Sequence, residues 1–454
     1  MSWHSAGIEP EACQHREVAD RLRQPDVPPG LTSPRPRLTG ALRMGRLLGG
    51  VLSAQTIAQA LTLLSGLAVL RWLSVEEYAQ YTLVFGFFAT LSALVDLGVA
   101  GAVMPLVGNR ARDAAVVGGY LRAALHLRAL VATFILPLSA AAFFVMTAHR
   151  GWGSGVQLGL FATVALCVWA RAMIDIYALP LLMAGAYRSY YSGQIYTAIL
   201  RLGTHGLLQV TRGLSGVSAS LINGLAALAN GTLYRRLSCE IPAQADPARS
   251  REIRRLAAPA VPGLIFYAFQ SQITILLVSV FGRTESLAEV GALSRFAALF
   301  VILGGIIQVL VAPRFPQLPR NRLVRRTAQV IGVAVVLGML LTTTAFVVPE
   351  PLLYVLGPHY SGLRLEAGWY MVGASFAFLS NVLYVINLAR RFIWWWSTAL
   401  CVSAIVVAQL VAAATLDLGS TLELQYFAVL TGAAACSGQL VALVWGLRAG
   451  PRTV

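Results

Sequence analysis

Charge is scarce along these 454 residues: 12% are Asp, Glu, Lys or Arg, where a soluble domain carries about a quarter. Together with 57% hydrophobic residues and a mean hydropathy of +0.69, that scarcity excludes an ordinary water-soluble core. Lysine is missing altogether, so all 35 basic residues are arginine, a bias that carries no function by itself. The five cysteines (Cys13, Cys167, Cys239, Cys401 and Cys436) are odd in number and scattered; they imply no disulfide framework and show no metal-ligand spacing. No Walker-type Gly-x-x-x-x-Gly-Lys sequence occurs, and the longest outer loop, about 349–363, leaves no room for an ATPase or a folded extramembrane catalytic domain. The N-terminal segment lacks the continuous apolar run of a signal peptide.

What fills the chain instead is a series of apolar stretches from about residue 48 to residue 446. Twelve of them approach or exceed the roughly 20 helical residues that cross a hydrocarbon core. The expected class is therefore an all-α, polytopic membrane protein with about 12 transmembrane helices. With the N-terminus inside, the outer loops receive only Arg71, Arg150, Arg212, Arg283 and Arg364, and the interior Arg128, Arg171, Arg201 and Arg295. All other arginines fall on the cytoplasmic side, as the positive-inside rule requires. Both termini are expected to be cytoplasmic. The net charge of +16 then meets anionic headgroups, and nucleic acid, which needs a soluble basic face, is not expected as a partner.

The organisation follows from composition. Residues 1–42 are rich in proline and charge and are expected to be disordered. Met44, directly before the first stretch, is a candidate alternative start, and truncation there is expected to leave insertion and activity intact. Residues 43–237 form an N-terminal six-helix lobe, 238–255 a cytoplasmic linker, 256–448 a C-terminal six-helix lobe, and 449–454 a tail. The lobes echo each other weakly, Tyr78–Pro105 against Ala288–Pro313, as parallel transporter repeats do.

Three short motifs carry a resemblance. Leu70-Arg-Trp-Leu-Ser-Val-Glu-Glu-Tyr-Ala-Gln-Tyr81, followed by Leu94-Val-Asp-Leu-Gly98, resembles the first external loop and second helix of polysaccharide (O-antigen type) flippases of the multidrug/oligosaccharidyl-lipid/polysaccharide exporter superfamily. The chain keeps Leu73, Ser74, Glu77, Tyr78, Tyr81, Asp96 and Gly98 but has Ala79 where the family favours glycine. Ile253-Arg-Arg-Leu-Ala-Ala-Pro-Ala-Val-Pro262 with Val290-Gly291, and Leu356-Gly-Pro-His-Tyr360, are similar to later family patterns in the same order. The resemblance implies two six-helix lobes around a central cavity that opens alternately to each side. It further implies that the chain moves an undecaprenyl-diphosphate-linked oligosaccharide to the outer leaflet of the bacterial inner membrane, with no cofactor. Polysaccharide polymerase and export machinery are the further partners it suggests.

Flipping such a headgroup demands a wet groove with positive charge for the diphosphate, and arginine binds phosphate oxygens bidentately while staying charged. Arg201, some eleven residues into its helix and so ~16 Å deep, is the leading candidate, with His205 one turn on. Arg171 and Asp175, four apart, can pair with each other or serve substrate; Arg295 is either a substrate ligand or a snorkelling cation. Arg128 is expected to snorkel. Asp96 is read as an arginine's partner or a coupling-ion site. Gln55, Gln59 and Thr62 recur at helical spacing, and Gln270 and Gln272 stand in the seventh stretch; such amides bond sugar hydroxyls or glue helices together. Asn223, Asn230, Asn381 and Asn387 share that ambiguity, while Trp394, Trp395 and Trp396 suit an interfacial anchor. Two alternatives stand beside the flippase: a drug or cation antiporter of the same superfamily, disfavoured by interior arginines outnumbering interior aspartates, and a membrane polymerase or glycosyltransferase, disfavoured by the short outer loops.

Overall fold

A run of apolar residues in hydrocarbon must satisfy its backbone within itself, so helices are the expected outcome. The structure, a computed structural model, describes residues 37–449 apart from 108–109, 111–112, 185, 239–245, 259–260, 311–314, 316–319, 391 and 393. The described residues form seventeen α-helices and no strand. In the first half these are α1 (Arg37–Trp72), α2 (Val75–Asp96), α3 (Val99–Val107), α4 (Ala114–Thr147), α5 (Ser154–Met183), α6 (Tyr187–Val210) and α7 (Gly216–Leu237). A short connector, α8 (Pro247–Ala257), leads to the second half. There follow α9 (Val261–Gln270), α10 (Ile273–Phe281), α11 (Thr284–Leu293), α12 (Ala297–Leu310), α13 (Arg320–Val347), α14 (Pro349–Leu356), α15 (Arg364–Ala389), α16 (Trp395–Thr415) and α17 (Thr421–Ala449).

Nine helical spans among the described residues are long and apolar enough to cross a membrane, and α9 with α10, bent by 55°, makes a tenth. The protein is a multi-pass membrane protein. The two remaining expected spans are α6 and α7, helices of 24 and 22 residues that fall short on apolarity rather than on length. They carry Arg201, His205, Asn223 and Asn230, and the placement of three of these on a cavity wall explains the polarity.

Two expectations change at the ends of the first half. Residues 37–42 are helical and belong to α1, so that part of the expected disordered segment is ordered, while 1–36 lie outside the described residues. Within the expected linker, 239–245 lie outside the described residues, but Asp246 caps α8, and Ile253 and Ala257 pack with Val99, Val103 and Tyr120. The connector is a docked helix, held by hydrogen bonds from Tyr120 to Glu252 and from Arg249 to the Ala115 and Val116 carbonyls.

Within the first half α2, α5 and α7 pack side by side, with α1 against α6; in the second, α15 packs against α13 and α17. The halves meet where α2 runs along α9, α10 and α11, and where α1 touches α12 and α14. Glycine permits the close approach: a methyl group at Gly86 would lie 2.7 Å from Ile275, and one at Gly291 would collide with Thr82. The second span breaks at Leu97 and Gly98, with φ of 41° and 80°. Asp96 caps the new segment by accepting the Ala100 N–H at 3.0 Å.

Candidate functional site

A cavity of about 560 Å³ lies inside the first half. Gln55, Gln59 and Thr62 of α1 form one helical face on its wall, as their spacing predicts. Tyr190, Gln194, Thr197 and Arg201 form a second face on α6, and Asn223 and Asn230 a third on α7. Arg171 and Asp175 of α5 add charge, and Arg295 reaches in from the second half on the single turn Ser294–Phe296 that joins α11 to α12.

Four of the charges neutralise one another. Arg128 is ion-paired with Asp96, donating from Nε at 3.0 Å, and its Nη1 donates to the Ala172 carbonyl at 2.9 Å. Its other nitrogen lies 3.6 Å from Asp175, whose second oxygen takes Arg171 Nε at 3.0 Å. The quartet Asp96, Arg128, Asp175, Arg171 sums to zero. Arg128 does not snorkel: it is buried, because the two aspartates hold it among α2, α4 and α5. Asp96 is accordingly an arginine's partner. Arg171 remains half-exposed, its side chain turned to the cavity.

Two guanidinium groups are left over. Arg201 donates from Nη2 to Thr62 Oγ1 at 3.0 Å, while its Nε is buried without a hydrogen-bond partner and no carboxylate pairs with it among the described residues. Arg295 donates from Nε to Tyr78 Oη at 2.9 Å and lies 5.7, 5.5 and 5.9 Å from the ring centres of Tyr78, Tyr81 and Phe85. Each desolvated ring contact of this kind contributes about 2 kcal/mol, but rings do not neutralise charge. Arg295 has no carboxylate partner among the described residues either, and it is close enough to Arg201 for the two charges to repel. The cavity thus presents two positive charges in excess.

His205 is not a cavity residue. It is fully buried, with Nε2 3.2 Å from the Ala219 carbonyl and Nδ1 3.2 Å from the Ser65 hydroxyl. A carbonyl can only accept, so Nε2 carries a proton, and the ring joins α1, α6 and α7. Gln270 also leaves the arginine cavity. It accepts a hydrogen bond from Gln409 Nε2 at 2.5 Å and lines a second cavity, of about 640 Å³, inside the second half. Asn381 lines that cavity too, whereas Asn387 is buried, donating to the Gln439 carbonyl at 3.0 Å and Oε1 at 3.1 Å. Trp394 stacks on Phe392 and on Trp396, which meets Trp445 edge-on, with Trp395 exposed.

One part of each of the three sequence motifs, Tyr78 with Tyr81, Gly291 and Tyr360, meets around Arg295. Ser74 and Glu77 form a capping box that fixes the start of α2. One turn on, Tyr78 and Tyr81 stack at 5.9 Å against the guanidinium. Tyr78 Oη also donates to the Gly291 carbonyl at 3.2 Å, and Tyr360 meets the Tyr78 ring edge-on at 6.4 Å. Nearby, Arg71 donates to the Tyr354 and Val355 carbonyls, the latter at 3.1 Å. Sequence reasoning missed this cage, although Arg295 and the two tyrosines were each in view. Of the second cavity it named Gln270 and Asn381 without placing them together, because a neutral polar lining leaves no charge to notice.

No family model matches the sequence, and no curated protein matches it. Solved structures do. The inward-facing conformation of a multidrug resistance MATE family transporter of the MOP superfamily superposes with a TM-score of 0.64 at 13% identity, covering 88% of this chain and 100% of that one. A MOP superfamily transporter from Pyrococcus furiosus, described as having a binding pocket of reverse polarity, gives 0.57 at 14%, covering 88% and 94%. The lipid II flippase MurJ, in an inward closed conformation, gives 0.56 at 12%, covering 87% of each chain. The fold is therefore polytopic and all-α. More particularly, it is the fold shared by MOP-superfamily transporters, among them MATE proteins and MurJ.

Proposed function

We propose that this chain is a flippase for a polyprenyl-diphosphate-linked oligosaccharide, a polysaccharide or O-antigen repeat unit, carried across the bacterial inner membrane by alternating access. The observation that carries the reading is the pair Arg201 and Arg295, two cations on one cavity wall with no carboxylate partner among the described residues. A diphosphate diester brings one negative charge on each phosphate, matching that excess charge for charge. Uncompensated charge at such depth costs about 2.5–3.5 kcal/mol per residue on insertion scales, so an anionic cargo supplies what the protein leaves out. The arginine-rich end of the bundle is cytoplasmic in this reading, with both termini there, and the two six-helix halves rock about the α2 seam. Polysaccharide polymerase and export machinery take the cargo onward.

The test is genetic and direct. Arg201→Ala should abolish surface polysaccharide and accumulate lipid-linked intermediates while the protein still inserts; Arg201→Lys should retain part of the activity. Normal polysaccharide in Arg201→Ala would remove the mechanism. The second reading, a drug or cation antiporter, draws support from the likeness to a multidrug transporter. It requires a cationic drug to enter a cavity whose only lining carboxylate among the described residues, Asp175, is already shared by two arginines. Resistance to cationic drugs on overexpression, unaffected by Arg201→Ala, would favour it.

A further inference from the structure

The second-half cavity is unlike the first. Among the described residues not one charged side chain lines it; among its alanines, glycines and isoleucines, the polar groups come chiefly from Gln270, Asn381, Gln439, Tyr267, Tyr370 and Tyr384. Amides offer donor and acceptor together, as sugar hydroxyls require, and tyrosine faces suit the C–H side of a pyranose. At about 640 Å³ the space falls in the range that holds a drug-sized ligand, room for a short saccharide.

Two adjacent glycines of α12 each lie against a residue of one cavity. In α12, Gly304 faces Asn381 of the second cavity, where a methyl group would lie 3.5 Å from the amide nitrogen. The next residue, Gly305, faces Gln55 of the arginine cavity, at 3.1 Å from its amide nitrogen. The Ser294–Phe296 turn makes the same link: Arg295 enters the arginine cavity while Phe296 packs against Tyr370 at 6.4 Å.

We propose that the second-half cavity is a binding site for the uncharged sugar portion of the glycolipid, adjoining the arginine cavity at Gly304 and Gly305. The site is bipartite: the first half holds the diphosphate and the second reads the glycan. This rests on the flippase reading, and the experiment separates the two. Undecaprenyl diphosphate and the undecaprenyl-diphosphate-linked glycan extracted from the host strain are titrated against the purified full chain in detergent by native mass spectrometry. Wild type should bind the glycolipid more tightly than undecaprenyl diphosphate. Asn381→Leu and Tyr384→Phe (the latter keeping the ring and its packing) should each weaken glycolipid binding, by about tenfold for one or two lost hydrogen bonds, and leave undecaprenyl diphosphate unchanged. Gly304→Leu, which sets a side chain against Asn381, should have the same selective effect, and Arg201→Ala should weaken both probes. Equal wild-type affinity for the two probes, or second-half variants that weaken both or neither, would overturn the sugar site while leaving the diphosphate site standing. Wild type binding neither probe would overturn the flippase reading itself.

Discussion

Arg128 and Arg201 sit within the same half, and their surroundings set them apart. Arg128 is spent on Asp96 and Asp175, so removing it strands the part-buried Asp96 and leaves Asp175 to Arg171 alone. Breaking one partner out of a buried ion pair costs about 3–5 kcal/mol, whereas removing both partners together is often close to neutral. Arg128→Ala should therefore lower the thermal unfolding midpoint in detergent sharply. Arg128→Met combined with Asp96→Asn should recover much of the loss. Arg201→Ala, which frees only Thr62, should leave the midpoint within a few degrees of wild type. The sequence revealed which charges lie deep, because depth follows from position in an apolar run. It did not reveal which of them pair across helices, since that depends on how each helix is rotated in the bundle. The i,i+4 pair Arg171–Asp175 was visible because it lies within one helix.

Helices were the readable layer, and their interruptions were not. Apolar length locates each long helix, α6 and α7 among them, although these two are too polar to count as spans by composition. The breaks at Leu97–Gly98, between α9 and α10, and at Ser294–Phe296 leave the apolar runs uninterrupted, so hydropathy passes over them. Gly98 had a motif match but no evident job; the structure gives it a positive φ of 80° at the break that lets Asp96 cap α3. Gly98→Val should thus destabilise the protein by more than the ~1 kcal/mol of an ordinary glycine replacement, with a lower melting midpoint as the readout. At Gly291 the obstacle is crowding: a side chain there meets Thr82 across the α2–α11 contact. Gly291→Leu should cost about 1–3 kcal/mol by overpacking, and Thr82→Ala in the same chain should relieve part of it.

The molecule as a whole is two halves sharing a seam along α2, tied at the arginine-poor end by Arg71 to the Tyr354 and Val355 carbonyls and by Tyr78 to Gly291 and Tyr360. If transport needs that end to part, then joining it covalently must stop transport. In a chain whose native cysteines are replaced by serine, Arg71→Cys with Val355→Cys, bridged by a short bifunctional thiol reagent, should lose transport and regain it on reductive cleavage of the bridge. Continued transport by the bridged protein would rule out rocking at this seam.

Arg295 belongs both to that tie and to the cavity wall, held by two tyrosines and a phenylalanine yet lacking an acid among the described residues. One guanidinium cannot grip the rings and a phosphate equally well. On the flippase reading, an arriving anion competes for the same side chain that keeps the far door latched. An unloaded carrier would then stay bolted, and the freight itself would draw the bolt, which guards the membrane against idle opening and leakage.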